Sequence, residues 1–482
     1  MDKSRSTLRV SFPHFSLLVA LQPVTGISTV ERTVTEPTAP AFPPGIRNVF
    51  AFAACNALSF QIVLGSPMIL YAKALDASAT VLGIIAGMMP LLVIFQIPAA
   101  KHVARVGYKN FVLGGWTIRV VFIFLMALVP LGEVFLSKES RLSLMLFLLF
   151  FFNLSRGISS CGWLPWITSL IPAEIRGTYL TREAAMVNIA SFLTIIIAAI
   201  SLGQNPQAWQ FSVIIAFSAC AGAVSLFFMK RIPEVAAPAQ VASSNTPVPW
   251  KEILFYPPFL KLIIASMAWS FAYGGMGAFP IAYLKVSAGI PEGKILFLTA
   301  AMFIGGLCSL WLLGARLDRL GSKPALALGH VLFLGIAAGW FLLATKVVVV
   351  SVPSVLVLMF LTGLSASVIG MATTRLAMGV VPEMGRSHFF ALYSVAGSLA
   401  LGIAPVAWGV MIDVMQNAEI VWHGLDLNRY AWFFLAVFIA FLISLTQCHR
   451  LQEPTAASME DLLKDILGQT PLRVWFRFWQ RF

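Results

Sequence analysis

The sequence is short of charge. Asp, Glu, Lys and Arg together make up 11% of its 482 residues, against 59% hydrophobic residues. A soluble domain needs about a quarter charged residues to cover its surface, so most of this surface must face lipid. Acid is scarcer than base, 20 Asp and Glu against 33 Lys and Arg. No acidic residue falls in the middle of a long apolar run; the nearest, Glu183 and Asp413, fall at helix ends. Proton symport asks for an intramembrane carboxylate or His as a relay. Only His330 of the six His lies in a run, so proton coupling and efflux of cationic drugs are both disfavoured. The balance favours an anionic or neutral amphiphilic binding partner over a cationic one.

Other absences exclude chemistry. The five cysteines, Cys55, Cys161, Cys220, Cys308 and Cys448, form no CxxC. Four lie in apolar segments, where a small buried thiol is expected; Cys448, beside a helix end, is the one placed for palmitoylation. There is no GxxxxGK[ST] phosphate loop for an ATP-driven pump and no HExxH for a membrane protease. No pair of intramembrane histidines suits haem. The chain is expected to be no enzyme and to hold no metal or cofactor.

Long apolar runs are what the sequence has. They fall at 46–72, 79–100, 111–131, 142–170, 184–203 and 210–229, then at 259–284, 294–315, 325–345, 353–380, 389–412 and 430–447. Spanning a bilayer takes about 20 apolar residues per helix, whereas a membrane β-barrel shows short alternating segments. The expected class is an all-α membrane protein of twelve transmembrane helices in two six-helix bundles, 46–229 and 259–447. A polar linker, 230–258, divides them. Residues 1–45 are basic, then Pro- and Thr-rich; the run Val10–Leu21 is short and broken by Pro13 and His14, unlike a signal peptide. They read as a cytoplasmic extension. The tail, 448–482, interleaves Arg473, Arg477 and Arg481 with Trp475, Phe476, Phe478 and Trp479, a basic amphipathic element for a membrane surface.

Basic residues set the orientation. With the N-terminus inside, 23 of the 33 Lys and Arg fall on cytoplasmic segments, seven on the other side and three within runs. Both termini are then cytoplasmic in a multi-pass inner (plasma) membrane protein. The net charge of +13 answers to anionic lipid of the cytoplasmic leaflet rather than to nucleic acid. A monomer is expected.

The two halves repeat. Ala104-Arg105-Val106-Gly107-Tyr108-Lys109 and Asp318-Arg319-Leu320-Gly321-Ser322-Lys323 are 214 residues apart, and Arg, Gly and Lys coincide. Pro172 to Gly177 and Pro382 to Ser387 match at an offset of 210. Paired six-helix halves are the architecture of many transporters. The segment Gly314–Lys323, a Gly, then Asp-Arg, then Gly and a basic residue, resembles the loop signature of the major facilitator superfamily. The resemblance covers about 46–450, although Ala100 and Ala104 replace the Gly and Asp in the first copy.

That resemblance implies rocker-switch alternating access around a cavity lined by the first, fourth, seventh and tenth helices. It also implies a gating latch, with Asp318 at the N-terminus of the fifth helix near Arg182 and with Arg319, Gly321, Arg105 and Gly107 in the two loops. The superfamily pairs the second helix with the eleventh and the fifth with the eighth. Small residues spaced by four accord with close contact there: Ala79, Gly83 and Gly87; Ser394, Ser398 and Gly402; Ala190, Thr194 and Ala198; Ala301, Gly305 and Ser309. The same fold also serves membrane assembly and pigment-delivery factors, which is the alternative to transport.

Three arginines lie within runs: Arg119 in the third, Arg156 in the fourth and Arg375 in the tenth. A central Arg costs about 2.5–3.5 kcal/mol on insertion scales, so each needs a role. The implied cavity makes Arg156 and Arg375 the substrate-binding candidates, with Asn56, Gln61, Asn153, Trp269 and Tyr273 as polar or aromatic company. Arg119, on a helix peripheral in that fold, reads as structural or snorkelling.

Overall fold

A computed structural model describes residues 43, 45–172, 175–235, 255–380, 386–418, 420–422, 425–453, 457–462 and 464. The N-terminal extension, the centre of the linker and the Arg- and aromatic-rich tail lie outside them, as do the side chains of Asp318, Arg319 and Arg386.

Twelve spans follow the apolar runs. In the first half they are Ile46–Leu64 with Ser66–Ala74, Ala79–Leu92 with Gln96–Val106, Tyr108–Leu128, Lys138–Ser160 with Trp163–Leu170, Arg176–Leu202 and Ala208–Lys230. In the second they are Pro257–Tyr273 with Phe279–Val286, Glu292–Leu320, Lys323–Ala344, Val352–Val380, Arg386–Val414 and Arg429–His449. Among the described residues, eleven helices are long and apolar enough to cross a membrane. The seventh run crosses in two pieces because Gly274, Gly275 and Gly277 interrupt it and Pro280 opens its second helix. Glycine loses the most backbone freedom in a helix, and Pro at a first turn forfeits no hydrogen bond. The first span breaks in the same manner at Gly65, ahead of Pro67.

One end of the bundle carries the basic loops around Gly107 and Gly321. At the opposite end, polar caps start the helices: Ser78, Ser137 and Asn428 each accept a backbone N–H from the first turn, as N-cap residues do. Within the first half, span 1 packs on spans 5 and 6, and span 3 on spans 4 and 6. Within the second, span 10 packs on spans 8 and 9, and span 12 on spans 7 and 9. The two six-helix bundles meet through span 2 against span 11 and span 5 against span 8.

The repeat is visible in the backbone. Gly107 and Gly321 both take positive φ, +83° and +86°, between consecutive helices. Only glycine adopts that conformation without strain, which explains why it stands at the same place in both loops. A short antiparallel hairpin, β1 (Ile420–Trp422) and β2 (Leu425–Leu427), joins spans 11 and 12 and was not expected from the runs. It is tied to the loop after span 9 by the Lys346–Asp426 ion pair at 2.6 Å.

Candidate functional site

Arg156 and Asn56 line one cavity of about 220 Å³ inside the first bundle, together with Phe52, Phe60, Trp116, Arg119, Trp163 and Glu183. Four spans build it. Span 1 supplies Phe52, Asn56 and Phe60 at four-residue spacing, one face of a helix. Span 4 turns at Cys161-Gly162, so Arg156 lies before the break and Trp163 after it. Spans 3 and 5 contribute Arg119 and Glu183. Phe52, Trp116 and Trp163 form an aromatic wall, with ring centroids 4.7 Å apart for Phe52 and Trp163 and 6.3 Å for Trp116 and Trp163.

Two expectations change here. Arg119 is neither peripheral nor snorkelling: it is 3% exposed, with its guanidinium over Trp116 at 4.6 Å and over Phe152 at 5.1 Å. Helix order alone placed span 3 at the periphery, but the inward face of that span reaches the cavity. Glu183, read as a helix-end residue, lies two turns into the helix that begins at Arg176 and faces the same cavity. Among the described residues, neither Arg119 nor Arg156 forms a side-chain ion pair or hydrogen bond, and Arg119 Nε is buried without a partner.

Arg375 is placed elsewhere. Its Nη1 donates to Ser322 Oγ at 3.1 Å and pairs with Glu453 Oε1 at 2.8 Å. Glu453 also accepts the backbone N–H groups of Ser322 and Lys323, at 2.8 Å each to Oε2, and so caps span 9. Arg375, offered by the sequence as a substrate-binding candidate, therefore has an acidic partner in the protein itself. The pair escapes a search of the runs because Glu453 lies beyond the last span.

The remaining candidates divide. Gln61 and Tyr273 line a second cavity, about 290 Å³, between the two bundles, with Gly65, Ile85, Pro90, Thr299 and Leu401 among its walls. Trp269 stacks on Tyr273 at 5.2 Å and packs against His330, Phe333 and Phe441 inside the second bundle. Asn153 is 2% exposed and donates to Leu149 O at 2.9 Å. His330 is held between Leu326 O at 2.7 Å and Ser444 Oγ at 2.9 Å. Of the latch candidates, Arg105 and Arg182 are exposed and the two glycines hold their turns.

The small-residue contacts are close. A Cβ on Gly83 would lie 2.1 Å from Pro405 O, and one on Gly87 would lie 2.3 Å from Gly402 O. On the other seam, Gly293 N donates to Gly203 O at 2.9 Å. Gly305 departs from the expected pairing: its open side meets Phe360 O of span 10, while Gly306 faces Asn188 of span 5. Two adjacent glycines serve two neighbours, which spacing by four does not anticipate.

Solved structures share this architecture at low sequence identity. The D-xylose-proton symporter superposes with a TM-score of 0.66 at 15% identity, covering 84% of this chain and 96% of that one. A mutant of the nucleoside transporter NupG gives 0.65 at 12% identity, with 85% and 100% covered. A POT family transporter in complex with 5-aminolevulinic acid gives 0.63 at 13%, with 85% and 97% covered. No curated protein matches the sequence. The family model described as Major Facilitator Superfamily matches residues 49–352 and 276–481. With that model spanning both halves and the fold shared along the chain, this protein belongs to the Major Facilitator Superfamily.

Proposed function

We propose that this protein is a secondary or facilitative transporter that binds a small organic anion at Arg156 and carries it across the membrane by alternating access. The observation that carries the reading is the Arg156 guanidinium, without an ion pair or hydrogen bond among the described residues, in a cavity of about 220 Å³. A half-buried guanidinium inside a membrane bundle is costly, and its forked donors match a carboxylate or phosphate. The inter-bundle cavity with Gln61 and Tyr273 lies where two rocking halves would expose a solute in turn.

The orientation of the proposal follows the basic loops. Both termini lie in the cytoplasm and the protein is a multi-pass inner-membrane monomer in contact with anionic lipid. The cross-bundle contacts of span 2 start at Ala79, at the end away from the basic loops, and reach Leu91. They fit a form closed to the outside. A thermal-shift screen of small organic anions on the purified protein tests the reading. Stabilisation by an anion, lost in Arg156→Ala, is expected. No stabilisation by any anion, with the protein folded, contradicts it and favours a membrane-assembly or pigment-delivery role.

A further inference from the structure

The cavity around Arg156 holds more than the one cation the sequence singled out. Its ionisable walls are Arg119, Arg156 and Glu183, two guanidinium groups and one carboxylate, giving a formal charge of +1. No ion pair joins them among the described residues. Arg119 is 3% exposed and, among the described residues, its Nε has no partner; nor has the buried indole Nε1–H of Trp116 on the same wall. Buried donors without partners are uncommon in native proteins. Together with Arg156 they make this cavity a donor-rich site suited to an acceptor.

We propose that Arg119 is a second ligand-binding guanidinium and that the solute is a small aromatic monocarboxylate. This deepens the transport reading and rests on it for its setting. The charge count selects the valence. A monoanion neutralises the cavity, a neutral solute leaves +1 buried, and a dianion leaves −1 beside Glu183. Burying net charge in low dielectric is the expensive outcome. The walls select the body: Phe52, Phe60, Trp116 and Trp163 line the cavity with aromatic rings, and offset or edge-on contacts with a planar solute add to the burial of area. The cavity lies just below the usual range of about 300–1,000 Å³ for ligand pockets, so one ring fits better than a fused system. The Arg119 guanidinium lies over Trp116 and Phe152, contacts that hold the group in place and leave its forked N–H donors for the carboxylate.

The test is binding to purified full-length protein, with benzoate, isophthalate, benzamide and acetate as probes. Benzoate is expected to bind most tightly. Arg119→Gln is expected to weaken it by about tenfold or more, the loss of one hydrogen bond to a charged group, and Arg119→Lys by less. Glu183→Gln raises the cavity charge to +2, so the ratio of isophthalate to benzoate affinity must rise. Unchanged benzoate affinity in a folded Arg119→Gln variant overturns the role of Arg119, and the ratio tests the charge count even if the Arg119 variants fail to fold. An unchanged ratio, or benzamide binding as well as benzoate, overturns the proposal. Acetate binding with benzoate excluded also overturns it but leaves organic-anion transport standing, whereas no anion binding at all removes both.

Discussion

Asp413 in span 11 accepts the backbone N–H of Ala79 at 2.9 Å through Oδ1, and through Oδ2 it accepts the N–H of Thr80 at 2.8 Å and the Thr80 hydroxyl at 2.6 Å. A carboxylate of the second bundle thereby caps a helix of the first, at the end away from the basic loops. Helix N-termini carry about half a positive charge, so both the hydrogen bonds and the charge favour the contact. The family resemblance implies such a cross-bundle cap at the basic end, through Asp318; the described one lies at the other end.

Asp413→Asn keeps the size and one acceptor but removes the charge. A cap of this kind is worth about 1 kcal/mol, enough to shift a two-state population about fivefold. A single cysteine placed at Gln61, on the inter-bundle cavity, is expected to label faster from outside in the Asn variant. Equal labelling rates would show that the cap does not hold this end shut.

Gly83→Ala tests the seam between spans 2 and 11. Its Cβ would meet backbone, Pro405 O at 2.1 Å, and overpacking costs about 1–3 kcal/mol. A clear fall in melting temperature or a shift toward outward labelling is expected. Gly114→Ala, where nothing lies within 4 Å, serves as the control and should be neutral or slightly stabilising, since Ala is the better helix former. Equal effects at the two sites would contradict the close packing.

Arg375 and Glu453 join span 10 to the segment after span 12, and both side chains are partly buried, 33% and 11% exposed. Arg375→Ala is expected to lower stability by about 1.5–3 kcal/mol, the range for hydrogen bonds to charged groups. Glu453→Ala should cost at least as much, because the cap on Ser322 and Lys323 goes with it. The double variant should fall short of the sum. Additive losses in a melting series would show that the two residues act independently.

The excess of basic residues on alternate loops predicts that reporters fused to either terminus read out in the cytoplasm. A terminus found on the outer side would reverse the orientation of every site in the account.

Much of this was legible in the sequence, for reasons of length and periodicity. Runs of about twenty apolar residues locate spans whatever their packing, and the offset between Gly107 and Gly321 exposes the duplication because one backbone conformation demands glycine twice. Arg156 stood out because charge in a membrane helix is expensive. What stayed hidden depended on rotation about helix axes and on contacts far apart in sequence. Arg119 looked peripheral because helix order gives the rank of a span but not which of its faces turns inward. Glu183 looked terminal because the apolar run begins one residue after it, whereas the helix begins at Arg176. The partner of Arg375 lies 78 residues downstream, outside any run, and no local pattern marks it.

The central claim is that an anion crosses the membrane through Arg156, and solute counterflow in proteoliposomes measures it most directly. Vesicles preloaded with the anion that most stabilises the purified protein should accumulate its labelled form transiently. Arg156→Lys, which keeps the charge and loses the fork, should reduce that accumulation, and Arg156→Ala should abolish it while the protein remains folded. Full counterflow by a folded Arg156→Ala variant would contradict the account.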